Sequence, residues 1–118
     1  MTDNAHALAD LATQYWKLCE SFAAQIAASA DGGAHRPADE ATLRYARSRL
    51  ETILARAGMT MRVYTGQPWD GTLPPLAINA EELGNANPAQ VRVGRTLEPT
   101  LLMNGGVMLA GTVMLENA

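Results

Sequence analysis

The sequence predicts an α+β protein in which the helices come first and the strands follow. Three observations carry this expectation. Apolar side chains recur at helical spacing as far as Ala57, an alternating pattern takes over at Met59, and Asn104-Gly105 sits between two short apolar runs. The 118 residues hold one domain's worth of chain, which rules out two large independent cores. Within it, residues 1–58 are expected to form a helical hairpin and residues 59–118 a small β-domain. Apolar residues at 47% and charged ones at 18% place the chain among foldable globular proteins. Aromatics at 5% leave the core to small and aliphatic side chains, which favours helices over a large all-β core.

The first helix is expected over residues 4–29. Leu8, Leu11, Tyr15, Leu18 and Phe22 draw one stripe along it, and Ala12, Trp16, Cys19, Ala23 and Ile26 draw a second beside the first. Asp3 or Asn4 can cap its start, and Asp31-Gly32-Gly33 tolerates the left-handed dihedrals that end a helix. A second helix opens near Asp39 or Thr42, buries Leu43, Ala46, Leu50, Ile53, Leu54 and Ala57, and stops at Gly58. Two helices bury little alone, and so wide an apolar surface needs more than one neighbour. The economical solution is a homodimer in which two hairpins build a four-helix bundle, with Leu8, Leu11, Tyr15, Leu18 and Phe22 at the dimer interface.

Beyond Gly58, Met61 and Val63 alternate with Arg62 and Tyr64 until Gly66-Gln67-Pro68 breaks the strand. Leu76, Ala77 and Ile78 form a short apolar run, and residues 81–88 read as a polar loop. Further strands are expected around Val91 and Val93, at 101–103, at 107–109 and at 113–115. Asn104-Gly105 is a hairpin signal, because a type I′ turn needs positive φ at both central positions.

A net charge of −3, with the basic residues spread along the chain, excludes a nucleic-acid footprint. Arg44, Arg47, Arg49 and Arg56 read as a solvated helix face. The sequence shows neither a signal region nor a membrane-length apolar run, and the single Cys19 cannot close an intramolecular disulfide. A cytoplasmic setting follows as the expectation. His6 and His35 read as surface histidines and Cys19 as a structural thiol. No metal-ligand spacing, phosphate loop or activated nucleophile is present, so neither cofactor nor catalysis is expected. Met59, Met61, Met103, Met108 and Met114 serve either as adaptable filling for a small core or as a tolerant binding surface.

Two stretches carry a resemblance to a known family. The first is LETILARAGM at 50–59, continuing to GQPWDG at 66–71, and the second is TLEPTLLMNGGVMLAGTVML at 96–115. With the element order, they resemble the C-terminal two-thirds of GrpE, the nucleotide exchange factor of DnaK-type chaperones, over roughly residues 40–115. Trp69 and Gly71 stand where the family has Phe and Pro, Pro74-Pro75 where it has His-Glu, and Gly106 where it usually has an arginine that contacts the ATPase. The family's long N-terminal paired helix has no counterpart before Leu8. The resemblance therefore implies the exchange or docking role: a co-chaperone that binds a DnaK-like ATPase through its β-domain, with Leu115 as a contact by alignment. Tyr64, Trp69 and Met108 join it by residue type, as large contact surfaces of low entropic cost. A dimeric adaptor without exchange activity is the alternative, and a small enzyme with a cleft at Tyr64, Trp69 and Asp70 is a third reading of another class. In that W-D-G turn, Asp70 is more readily a turn cap than a base.

Overall fold

The computed structural model describes residues 2–29, 35–83 and 90–118. It is α+β, with two long helices followed by small sheets, and divides into two compact units, Met1–Gly58 and Met59–Ala118.

In the first unit, α1 spans Thr2–Ala28 and α2 spans Arg36–Arg56. Because α1 begins at Thr2, positions 3 and 4 lie within its first turn and not at its N-cap. The expected stop at Asp31-Gly32-Gly33 lies outside the described residues. Helix α2 opens earlier than Asp39 or Thr42: His35 is its N-cap residue and Pro37 occupies the first turn, where a missing N–H leaves no helical bond unmade. Thr42 sits inside the helix, its Oγ1 donating to the Ala38 carbonyl at 3.0 Å. At the other end the stop is as expected. Gly58 adopts φ 73°, and the N–H groups of Ala57 and Gly58 satisfy the Leu54 and Ala55 carbonyls at 3.0 Å.

The helices pack through Cys19, Ile26 and Leu43, with Tyr15, Phe22, Ala23 and Ala46 against that cluster. Tyr15 Oη donates to the Ala46 carbonyl at 2.9 Å, and Arg47 pairs with Glu20 at 2.6 Å. The side of α1 that goes inward is the second stripe, extended by the buried Ala9. Thr13 is buried too, its hydroxyl satisfied by the Ala9 carbonyl at 2.9 Å.

The second unit contains β1 (Met59–Arg62), β2 (Leu76–Ala77), a single helical turn α3 (Ala80–Leu83), β3 (Val91–Glu98), β4 (Thr100–Met103), β5 (Gly106–Leu109) and β6 (Thr112–Asn117). The expected loop at 81–88 therefore starts inside a helical turn, and its remainder from 84 lies outside the described residues. One sheet has the order β1-β4-β5, all antiparallel, with Met61 opposite Leu101 and Met103 opposite Gly106. The other has the order β2-β6-β3, in which β2 runs parallel to β6 and β3 antiparallel to it. The Gly66-Gln67-Pro68 break turns away from β1 and then lies along the outer edge of β3. Gly66 N donates to Val93 O at 2.7 Å, Val93 N to Gln67 O at 2.9 Å and Trp69 N to Val91 O at 3.0 Å. That edge is thereby closed to further pairing.

Strands β3 and β4 pass from one sheet to the other through Pro99, and β5 and β6 do so through Ala110-Gly111. The four strands are thus one long ribbon with a corner. Its tip is the expected hairpin turn, Asn104 at φ 54° and Gly105 at φ 80°. Thr100 Oγ1 pins the corner to the Ala110 carbonyl at 2.6 Å. Gly111 is required there: φ is 83°, and a Cβ would stand 2.7 Å from the Glu98 and Pro99 carbonyl oxygens. The core of this unit is Ala77, Val91, Val93, Val113 and Leu115. The Asn79 side chain extends the β2–β6 ladder by one step, donating from Nδ2 to Leu115 O at 2.9 Å and accepting from Leu115 N at 2.8 Å.

Candidate interaction surfaces

The stripe of Leu8, Leu11, Tyr15, Leu18 and Phe22 divides in two. Tyr15 and Phe22 turn toward α2 and join its packing, whereas Leu11 and Leu18 stand 66% and 72% exposed and Leu8 is half-buried. The division follows from helical spacing: at about 100° per residue Leu11 and Leu18 fall on the side of Tyr15 away from the inward-facing Cys19 and Ile26, and the Tyr15 hydroxyl reaches the Ala46 carbonyl from the nearer side. Beside Leu18 lies an apolar groove of about 220 Å³ between the helices, bounded by Tyr15, Phe22, Thr42, Leu43 and Ala46 with Cys19 in its lining. Cys19 is buried as expected, and that burial pushes its thiol above the ordinary value. Arg47 opposes the shift and Glu20 adds to it. A thiol held protonated is a poor nucleophile, which agrees with a packing role.

A second groove of about 320 Å³ brings Arg36, Glu40, Arg44 and Arg47 around Ile26 and Leu43. Two of its arginines already have carboxylate partners, Arg36 with Glu40 at 2.8 Å and Arg47 with Glu20 at 2.6 Å. Arg44, Arg47, Arg49 and Arg56 are all exposed, the solvated face that the sequence suggests. Such exposed pairs contribute at most about 1 kcal/mol each.

In the β unit, three of the four expected partner contacts come together. Tyr64 and Trp69 are half-buried against the core cluster that contains Leu115. Leu115 itself is 4% exposed. It is a core residue, because its register partner on β3 is the fully buried Val93 and both point to the inner side of the sheet. Its side chain offers nothing to a partner in this conformation. Met108 lies apart on β5 in the other sheet, half-buried beside the exposed Val107.

Asp70 is exposed, and its carboxylate is tied into the turn that follows. The Thr72 hydroxyl donates to it at 2.6 Å and the Thr72 N–H at 2.9 Å, and these bonds lower its pKa below the ordinary carboxylate value. A lowered, solvated carboxylate is a weaker base, so the turn-capping role fits the geometry and the cleft chemistry does not. Among the described residues no cluster of His, Cys, Asp or Glu could hold a metal ion, and no helix is long and apolar enough to cross a membrane.

The surface that sequence reasoning missed is the outer face of the β2-β6-β3 sheet. Leu76, Ile78 and Met114 are exposed there, 67%, 55% and 37% respectively. The signal was present in Leu76-Ala77-Ile78, since the small residue of an alternating triplet can go inward and leave both large ones outside. Compared with protein-family models, with curated proteins and with solved structures, the chain matches none.

Proposed function

We propose that the protein is a non-catalytic, homodimeric binding module that works as a GrpE-like co-chaperone, pairing through α1 and engaging a DnaK-type ATPase through its β unit. The observation that carries this reading is the bent ribbon of residues 96–115. The stretch most similar to the family folds into a paired ribbon whose Asn104-Gly105 tip is exposed. The exposed Leu11 and Leu18 beside an apolar groove support the dimer, because large aliphatic side chains on a helix face gain by being covered.

The mechanism is a population shift. A partner that binds the open form of the ATPase more tightly than the closed form weakens nucleotide affinity by the same coupling free energy. No bond is made or broken by this chain. The reading is tested by stopped-flow release of a fluorescent nucleotide from the DnaK-type ATPase of the same cell, which the protein accelerates. A dimeric adaptor is the second reading, and Gly106 favours it, since this tip position has no side chain with which to make a charged contact. Release traces that superimpose with and without the protein, in the presence of measured binding, select the adaptor. Absence of binding eliminates both.

A further inference from the structure

Asn104 is the only asparagine of the chain that precedes a glycine; Asn4, Asn79, Asn85 and Asn117 precede alanine, and Asn87 precedes proline. The distinction is chemical. An asparagine carboxamide carbon can be attacked by the backbone nitrogen of the next residue, closing a succinimide ring, and a side chain on that next residue hinders the approach. Gly105 has none, and nothing lies within 4 Å of where a Cβ would stand. Asn104, Gly105 and Gly106 are all exposed, so water reaches the reacting atoms. Asn79, by contrast, has both carboxamide heteroatoms bonded to the Leu115 backbone.

The folded tip holds the reaction off. Asn104 at φ 54° and Gly105 at φ 80° form the type I′ turn, with Met103 opposite Gly106. In such a turn ψ at the first central residue is roughly +30°. Ring closure needs Cβ and the following nitrogen eclipsed about the Cα–C bond, and for an L-residue this ψ puts them nearly anti. The Asn104 carboxamide carbon is thus out of reach of the Gly105 nitrogen in every side-chain rotamer. Cyclisation requires the hairpin tip to open.

We propose that Asn104 is a self-modification site gated by the closing of its hairpin. In the open tip the Gly105 nitrogen gives up its proton and attacks Asn104 Cγ. The N–Cγ bond forms, the Cγ–Nδ2 bond breaks, and the side-chain nitrogen departs as ammonia with the proton. Water then opens the ring. Addition at Cγ breaks the new bond and leaves aspartate, whereas addition at the main-chain carbonyl breaks the original peptide bond and leaves isoaspartate. Nothing is oxidised or reduced. Aspartate tolerates positive φ and keeps the turn. Isoaspartate places an extra carbon in the main chain, and because loop length sets hairpin register, Met103 and Gly106 cannot pair again as before. Openings of the tip are in this way made permanent in a fraction of the molecules. The reaction requires neither the dimer nor the ATPase.

The experiment incubates the full chain in mildly alkaline buffer, folded and in urea, with intact mass following loss of the amide and peptide mapping locating it. In urea, Asn104 should convert ahead of every other asparagine. The folded chain should convert at least about tenfold more slowly, because the tip must open first. Molecules carrying isoaspartate, separated by chromatography, should lose amide dispersion over residues 91–117, whereas the Asn104→Asp protein keeps it. Asn104→Gly suits the same turn without a carboxamide and should abolish conversion at this position. Absence of conversion at Asn104 in urea, equal rates in the folded and unfolded chain, or isoaspartate molecules with intact dispersion would each overturn the proposal.

Discussion

The two units solve the same burial problem in opposite ways. In the helical unit, α1 buries its small residues, Ala9, Ala12, Thr13 and Cys19, and leaves Leu11 and Leu18 in water. In the β unit the branched residues Val91, Val93, Val113 and Leu115 are all buried, and the aromatics Tyr64 and Trp69 lean on them. Covering a leucine stabilises a fold by about 1.5–3 kcal/mol, so the helical unit holds back an appreciable part of its apolar free energy. The β unit commits its valines at 91, 93 and 113 and Leu115 to one core, although Leu76 and Ile78 stay outside it. A hairpin built this way gains from association, whereas a unit with a filled core does not need it, and stability is expected to depend on protein concentration in the first and not in the second.

The largest effect expected from this contrast comes from the β core. Val113→Asp places a charge at a site with no solvent and no partner, at a cost of at least about 3 kcal/mol. Amide resonances of residues 91–117 should lose their dispersion, and a spectrum that keeps it would mean that this core is not what holds the unit. Leu18→Asp, the same kind of change on α1, should leave the helical content alone because the position is exposed in the single chain. It should instead convert a dimer to a monomer in analytical ultracentrifugation at micromolar concentration. An unmutated protein that already sediments as a monomer would remove the dimer.

Gly111→Ala is expected to destabilise the β unit by about 2–3 kcal/mol, since positive φ and the close carbonyls of Glu98 and Pro99 act together. Urea midpoints read the loss, and a shift below a few tenths of that size would show that the corner relaxes freely. The smallest effect belongs to Tyr15→Phe, which removes the hydroxyl bond to Ala46 and should cost about 1 kcal/mol in the helical unit alone. If instead the β unit shifts equally, the two do not unfold as separate entities.

Much of this was legible in the sequence wherever the signal was local. Gly58 and the Asn104-Gly105 turn are positions where dihedral chemistry selects the residue, and both adopt the conformations expected of them. The start of α2 is not legible in the sequence, because Pro37 marks a loop and a first helical turn equally well. The α3 turn is too short for its periodicity to register. The candidate contacts show a sharper limit. Successive residues in a strand face opposite ways, so the choice between Leu115 and Met114 is a choice between core and surface, and family likeness at Leu115 cannot make it. Only the register with Val93 and Arg95 does. Likewise spacing alone draws the α1 stripe without showing how much of it a single neighbouring helix covers: Tyr15 and Phe22 pack on α2, and Leu11 and Leu18 at the stripe's edge do not.

The corner ribbon has a consequence for how the chain reaches this structure. Its pairings spread outward from one tip: Met103 with Gly106, then Leu101 with Leu109, Glu98 with Thr112 and finally Val91 with Asn117. Each new pair closes a loop only slightly longer than the last, so the entropy of closure accrues in small steps. Strands β1 and β2 come from distant sequence and can add only to a template that already exists. The β unit is thus expected to nucleate at Asn104-Gly105, with substitutions there slowing folding and substitutions at Ala77 mainly hastening unfolding. Chevron measurements on Asn104→Ala and Ala77→Gly decide this, and equal φ-values at the two sites would exclude a polarised nucleus. The turn that defines the tip in space would then also mark the beginning in time.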